Sequence, residues 1–516
     1  MTGTDPLKSP SKLHLRVNDV PRWPSSATTQ LRVQLIAATF VTSGIATIIQ
    51  TTFGLRLSIL HGPSFAFLPP LLAFKALPEN QCQFNEYTEV PESEWMARVA
   101  TIQGSLLLGV LPMLFIGATG LVGLFAKYVG PVTIAPLITL LTLGTVPTLE
   151  QKMSVHWVSI LEFLILVLLV IFLEEARVPI PYYSLSKGQL RWTHSRVFGQ
   201  FPYLLGIGLA WLVCFILSVT EFEPEEGHAR VDKNSSLAVL HESPWFQVPL
   251  PGAFGPFKVN VGLFLGFVAS ALACTMESIG DYAMCARISE ERHPPIANTN
   301  RAIFCEGFGA CLAAVMGVGA GITTYAECIA LMSVTRVTSR VTMQMAGVLL
   351  ILLGLFTKCA AVLATIPEAI VGGVLAMGMT MICGVALSNL HTVELRLSRN
   401  LSIIGVSILC GMLIPQHFEL HPIQTSNNTA NEVLNMLLTI RMLIGGLIAF
   451  VLDNTVGGAT KEERGFPPPE DEQTLYIRDG YSLPEWAENV LRRVPILQKL
   501  PIFPTLPDIP STPCFT

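Results

Sequence analysis

The chain is predicted to be an all-α polytopic membrane protein, an inverted-repeat transporter with two short broken elements. Three observations predict this class. The 516 residues are 51% apolar and 13% charged, with a mean hydropathy of +0.54, whereas a soluble domain carries about 25% charged residues. Apolar runs recur at the ~20-residue length that crosses a bilayer. Finally, two short Gly/Pro-interrupted segments occupy corresponding places in the two halves, the sequence mark of a transporter site built on an inverted repeat.

The runs of span length are 31–53, 98–122, 131–147, 155–173, 200–218, 260–286, 302–318, 341–363, 367–390, 399–415 and 432–452. The first short element, Gly62 to Phe74, is interrupted by Pro63, Pro69 and Pro70. The second, Thr323 to Val337, follows Gly317, Gly319 and Gly321. Unwound ends of this kind leave backbone N–H groups free for an anionic or carbonyl-bearing solute.

Loop charges orient the ladder. Arg177, Lys187, Arg191 and Arg196 place 174–199 in the cytoplasm, and Arg340, Arg396 and Arg399 put 337–340 and 391–399 on the same side. The acidic stretch 219–257 (Glu221, Glu223, Glu225, Glu226, Asp232) and the stretch 77–97 are extracellular. Asn234, in the sequon Asn234-Ser235-Ser236, is the expected glycosylation site. The chain divides into a polar N-terminal segment (1–30), an incomplete first repeat (31–218), the extracellular loop (219–257), a second repeat (258–456) and a cytoplasmic Pro-rich tail (457–516) whose end, with Pro501, Pro504, Pro507, Pro510 and Pro513, reads as disordered. A span matching 260–286 is expected ahead of Leu31 and is missing, which sets residues 1–30 outside despite Lys8, Lys12, Arg16 and Arg22.

Several classes are excluded. The chain has no P-loop, dinucleotide fingerprint, HExxH or CxxC pair, so neither ATP nor an enzyme cofactor is indicated, and no nucleophile–base pair marks an enzyme. A net charge of −5 spread over loops leaves no nucleic-acid footprint. Most of the eleven cysteines, among them Cys214, Cys274, Cys305, Cys311 and Cys410, lie in apolar runs as packed small residues.

The acids carry the chemistry. Glu277 and Asp281 share one helical face at a spacing of four. Glu306 and Glu327 follow in membrane-depth segments. Four such acids cost roughly 10 kcal/mol at ~2.5–3.5 kcal/mol each, which selects for moving a polar solute through the bilayer.

From Asp19 to Phe466 the chain resembles the nucleobase–ascorbate transporter family, solute carrier family 23, in its animal branch and without the family's first span. The resemblance rests on Glu277-Ser278-Ile279-Gly280-Asp281-Tyr282 with Cys285-Ala286-Arg287, on His293-Pro294-Pro295, on Asn298 to Arg301, and on Glu306-Gly307. Ser388-Asn389-Leu390, Ser398-Arg399-Asn400, Asp453-Asn454-Thr455-Val456 and Gly54-Leu55-Arg56-Leu57 leading to Ser64-Phe65-Ala66-Phe67 extend it. Of the family signature, Glu327, Thr335 and Arg336 fit, while Cys328 stands for asparagine and Ala330 for glycine. The resemblance implies a seven-plus-seven inverted repeat with core and gate domains, typically a homodimer in the lipid bilayer. It implies that Glu277 binds ring N–H groups of the solute, that Asp281 assists, and that Glu306 couples to a cation. Tyr325 and Ala326 would pack on the ring, Phe65 would stack from the other short element, and Cys328 would donate only weakly. Glu327 stands where ascorbate carriers place proline and nucleobase carriers Gln or Glu.

The sequence therefore predicts a secondary transporter of the plasma membrane that carries a nucleobase such as uracil or xanthine in symport with sodium, or with a proton. It has no cofactor. The alternatives are a sodium-dependent L-ascorbate transporter and a transport-inactive truncated form. An anion channel or exchanger would want neutral or basic residues at 277 and 327.

Overall fold

A computed structural model of the chain describes residues 25–76, 92–184, 189–224, 227–233, 237, 240–241, 243–335, 337–426, 428–466, 480–494, 498 and 500–503. The first half runs α1 (Ser25–Thr52), β1 (His61–Pro63), α2 (Leu68–Ala76), α3 (Glu92–Gly109), α4 (Leu111–Thr119), α5 (Pro131–Met153), α6 (Trp157–Val167), the hairpin β2 (Val178–Ser184) and β3 (Gln189–Ser195), and α7 (Pro202–Val219). The second runs α8 (Val261–Ile288), α9 (Ile296–Val315), β4 (Ile322–Thr324), α10 (Ala326–Thr335), α11 (Arg340–Leu355), α12 (Thr357–Ala364), α13 (Glu368–Asn389), α14 (Ser398–Leu420), α15 (Asn428–Thr439) and α16 (Arg441–Thr455).

The repeat is visible in this order and in the packing. Each half has a helix, a three-residue strand, a short helix and a span, the span bent only in the second half: α1–β1–α2–α3/α4 answers α9–β4–α10–α11/α12. Helix α1 lies along α11, and its counterpart α9 lies along α4. Helix α8 packs on α3, and among the described residues no helix takes the corresponding place on α11. These elements form one bundle; α5, α6, α7, α13, α14 and α16 form a second, in which α5 packs on α13.

Helix α8 is the centre. Two thirds (67%) of its most apolar window is buried, against 28% for α7 and α14, so the latter face lipid or another chain. Ala, Gly and Ser at 262, 266, 269, 270, 271, 273, 278 and 280 keep α8 thin enough to be enclosed.

The structure departs from the sequence reading in four places. Two expected single spans are bent: 341–363 turns by 83° between α11 and α12, and 432–452 by 73° between α15 and α16. Seven helices among the described residues are long and apolar enough to cross a membrane, or nine with each bent pair taken as one. The basic stretch expected as a loop holds the β2/β3 hairpin, paired from Val178↔Ser195 to Ser184↔Gln189. Lastly, residues 480–494 and 500–503 of the tail fold against the helix ends, as detailed below.

Segments expected on one side of the membrane meet at one end of the bundle. Arg32 at the head of α1 and His228 of the acidic loop both pair with Glu368 (3.4 and 3.5 Å), and Gly252 N–H donates to Val315 O at the end of α9 (3.0 Å). At the opposite face, Asp453 (fully buried) pairs with Arg399 (2.9 Å) and Arg464 (2.8 Å). Thus the family-like stretches around 399 and 453, far apart in sequence, meet at one ion cluster.

Candidate functional site

The site grows from the ribbon where the halves meet. Strands β1 and β4 pair antiparallel, with His61↔Thr324, Gly62↔Thr323 and Pro63↔Ile322. Three residues of strand span ~10 Å, so the two helix N-termini that follow open close together. On one side, Ser64 accepts from Ala66 N–H at 3.1 Å and caps the 3₁₀ turn Phe65–Phe67, while its own N–H donates to Gly321 O at 2.9 Å. On the other, Tyr325 N–H donates to Leu60 O at 3.0 Å and α10 starts at Ala326. Glycine is required at 62, because a Cβ there would run into the Tyr325 ring.

Helix α8 crosses the ribbon with a polar stripe at a spacing of four, which is one helical face. Ser270 Oγ donates to Ala66 O (2.7 Å), Cys274 Sγ meets Ser64 Oγ (3.4 Å), Ser278 Oγ donates to Glu306 Oε1 (2.7 Å), and Tyr282 hydroxyl donates to Glu306 Oε2 (2.5 Å). Glu277 and Asp281 stand on the adjacent strip, three and seven residues beyond Cys274. Both are buried, at 6% and 1% exposure, so they face protein rather than lipid.

Glu306 accepts four hydrogen bonds. Besides Ser278 and Tyr282, it accepts from Thr323 Oγ1 and from Thr324 N–H (3.1 Å). Gln50 Nε2 donates to the Tyr282 hydroxyl (3.2 Å), which extends the network to α1. Glu306 thus ties α8, α9, β4 and α1 together, a structural duty the sequence reading did not assign.

The structure brings Phe65, Tyr325, Ala326 and Cys328 to the two helix starts beside the α8 stripe. Ala326 is buried; Phe65, Tyr325 and Cys328 are half-buried. Thr335 is not with them. Nine residues along α10, it stands ~13 Å from the ribbon, with Oγ1 donating to Leu331 O at 3.0 Å. Glu327 lies in the first turn of α10, but its side chain, like Arg336 and Asn234, lies outside the described residues.

Two polar groups escaped the sequence reading. Glu162, at the middle of α6, is fully buried with neither carboxylate oxygen hydrogen-bonded among the described residues, in space left by Gly206 and Gly373. Its signal was available: an acid inside an apolar run, the same criterion that singled out Glu277. His61 on the ribbon is buried with both ring nitrogens unpartnered among the described residues. Nothing local in the sequence distinguishes it from a surface histidine.

The chain is similar to several known proteins. The sequence profile of the permease family matches residues 20–420. Rat solute carrier family 23 member 2 is 35% identical over 479 residues, which cover 89% of this chain and 73% of that protein. Nucleobase-ascorbate transporter 12 of Arabidopsis thaliana is 26% identical over 492 residues, covering 85% and 65% respectively. Among solved structures, the transmembrane domain of the cyanobacterial bicarbonate transporter BicA aligns with a TM-score of 0.42 at 12% identity, covering 83% of this chain and 95% of that one.

Proposed function

The chain belongs to the permease family that includes solute carrier family 23, the nucleobase–ascorbate permeases, and from that membership we propose that it carries nucleobases inward with a cation. It is a multi-pass membrane protein, and the plasma membrane is its expected site of action. Uracil and xanthine are the solutes that suit it best, sodium is the expected co-transported ion with a proton as its substitute, and a homodimer is the expected assembly.

One observation carries the reading: a buried carboxylate, Glu277, stands on α8 beside the residues that hold the first helix start and, through Ser278 and Thr323, the strand that leads to the second. Helix N-termini present N–H donors and a partial positive charge, which suit the ring carbonyls. The carboxylate accepts from ring N–H groups, and charge-assisted bonds of this kind are the strong ones. Glu327 in the first turn of α10 adds a second acid, which disfavours the ascorbate anion by like-charge repulsion.

Uptake of radiolabelled uracil, xanthine and ascorbate, with and without sodium, tests the assignment. Saturable, sodium-dependent uptake of a nucleobase is the expected result; uptake of ascorbate alone moves the chain to the other branch of the family's chemistry. In the same assay Glu277→Gln should weaken solute affinity ten- to hundredfold. The amide turns one acceptor into a donor and leaves a buried N–H unmet, at a cost of about 1–3 kcal/mol. Affinity equal to wild type would assign Glu277 to packing instead.

A further inference from the structure

The C-terminal segment offers an inference beyond transport itself. Polar residues at the head of α9 are buried: Asn298, Asn300 and Arg301 are each no more than 5% exposed. Their partners come from some 180 to 200 residues downstream. Tyr481 O accepts from Asn298 Nδ2 (2.9 Å) and from Arg301 Nη2 (3.3 Å), and Pro501 O accepts from Asn300 Nδ2 (3.2 Å). The docking continues on neighbouring helix ends. Gly480 O accepts from Arg340 Nη1 of α11 (3.0 Å), the Tyr481 hydroxyl donates to Arg292 O beyond α8 (2.7 Å), and Trp486 sets its ring edge-on to Phe53 (5.5 Å).

Arg301 is the joint. Its Nε donates to Gly54 O at 3.0 Å while Nη2 holds Tyr481 O. Gly54 opens the lead-in (54–60) that delivers the chain to β1 and Phe65. This lead-in is strained, because Arg56 sits at φ 67°, a left-handed conformation costly for a residue with a Cβ. Such a conformation persists only where its surroundings hold it. One guanidinium therefore connects the docked tail to the segment that positions the first broken element.

We propose that residues 480–494 and 500–503 are a detachable cytoplasmic clamp whose release loosens the lead-in and, through it, the solute site. Its consequence for transport rests on the reading above; the clamp itself does not. The tail bonds through main-chain carbonyls and two aromatic rings, so a cytoplasmic protein or a modification that engages this segment would reach a site at membrane depth through Arg301.

Hydrogen–deuterium exchange on the full chain tests this. In Tyr481→Ala/Trp486→Ala, amides of 480–494 should exchange at least tenfold faster, and those of 54–60 should follow, while α16 in the other bundle stays unchanged. Trp486→Ala alone, which keeps every tail hydrogen bond, gives a smaller shift of the same pattern and serves if the double variant does not fold. A freed tail with unaltered exchange at 54–60 overturns the proposal. Because exchange needs no solute, an absence of nucleobase uptake would count against the transport reading and leave the clamp to stand or fall on its own.

Discussion

Leucine at position 306 should destabilise the protein severely. Four donors converge on Glu306: the hydroxyls of Ser278, Thr323 and Tyr282 and the N–H of Thr324. Ser278 and Thr323 hydroxyls already lie 3.2 Å apart and can satisfy each other. Thr324 N–H loses its acceptor outright, and the Tyr282 hydroxyl keeps one only by turning to the neighbouring Gln50 amide; at about 1–3 kcal/mol for each unmet donor, the loss is roughly 1–6 kcal/mol. That is a large share of a typical folding free energy of about 5–15 kcal/mol. Glutamine should behave differently. Its oxygen keeps the Oε1 bonds and its amide can donate to the Tyr282 hydroxyl, which is then free to donate to Gln50 Oε1, buried and unpartnered in the present arrangement. Thermal unfolding in detergent should therefore rank wild type near Glu306→Gln and well above Glu306→Leu. Uptake then separates roles: a stable Gln variant that loses its ion dependence makes Glu306 a coupling group, and one that keeps it makes Glu306 a structural tie.

Breaking the ion cluster at Asp453 should have a comparable effect at the opposite end of the second bundle. Asp453 is fully buried between two arginines whose side chains are 9% and 14% exposed. Removing one member of a buried ion group costs about 3–5 kcal/mol, because the remaining charges are left uncompensated. Here two arginines would be stranded, although Arg399 also donates to the Asp453 and Val456 carbonyls, and Arg464 lies 5.0 Å from the Phe466 ring centroid. Asp453→Ala should accordingly lower the unfolding temperature strongly, while Arg464→Ala, which leaves Arg399 paired, costs less. Equal losses in the two variants would contradict the cluster as the source of the effect.

The sequence was most legible where the physics is local. A run of twenty apolar residues has one stable home, and Lys and Arg in its loops fix which end is inside; the spans and their alternation follow. The two short elements were legible because proline and glycine forbid a continuous helix there. What escaped depended on distant partners. No proline marks Phe356 or Ile440, where α11/α12 and α15/α16 bend. The pairing of β1 with β4 joins segments some 260 residues apart, and three residues are too few to show a strand period. Asn298, Asn300 and Arg301 stood out only as a family-like stretch, and the prolines near 501 looked like a disordered tail. Each is ordered by the other, a relation that composition cannot express.

At the site the same division appears. Glu277, Asp281 and Glu306 stood out because acids are costly in a membrane, whereas the Ser270–Cys274–Ser278 stripe that holds the two helix starts consists of small residues common in any packed span. A solute seated at these helix starts, as proposed, should shield Cys328 from alkylation. Cys328 is a half-buried cysteine in the first turn of α10, and Cys410, equally half-buried on α14, is a built-in control. In a background where the other reactive cysteines are replaced, saturating xanthine or uracil should slow modification of Cys328 at least fivefold and leave Cys410 unaffected. A solute that saturates uptake while both thiols react as fast as before would place the binding site elsewhere.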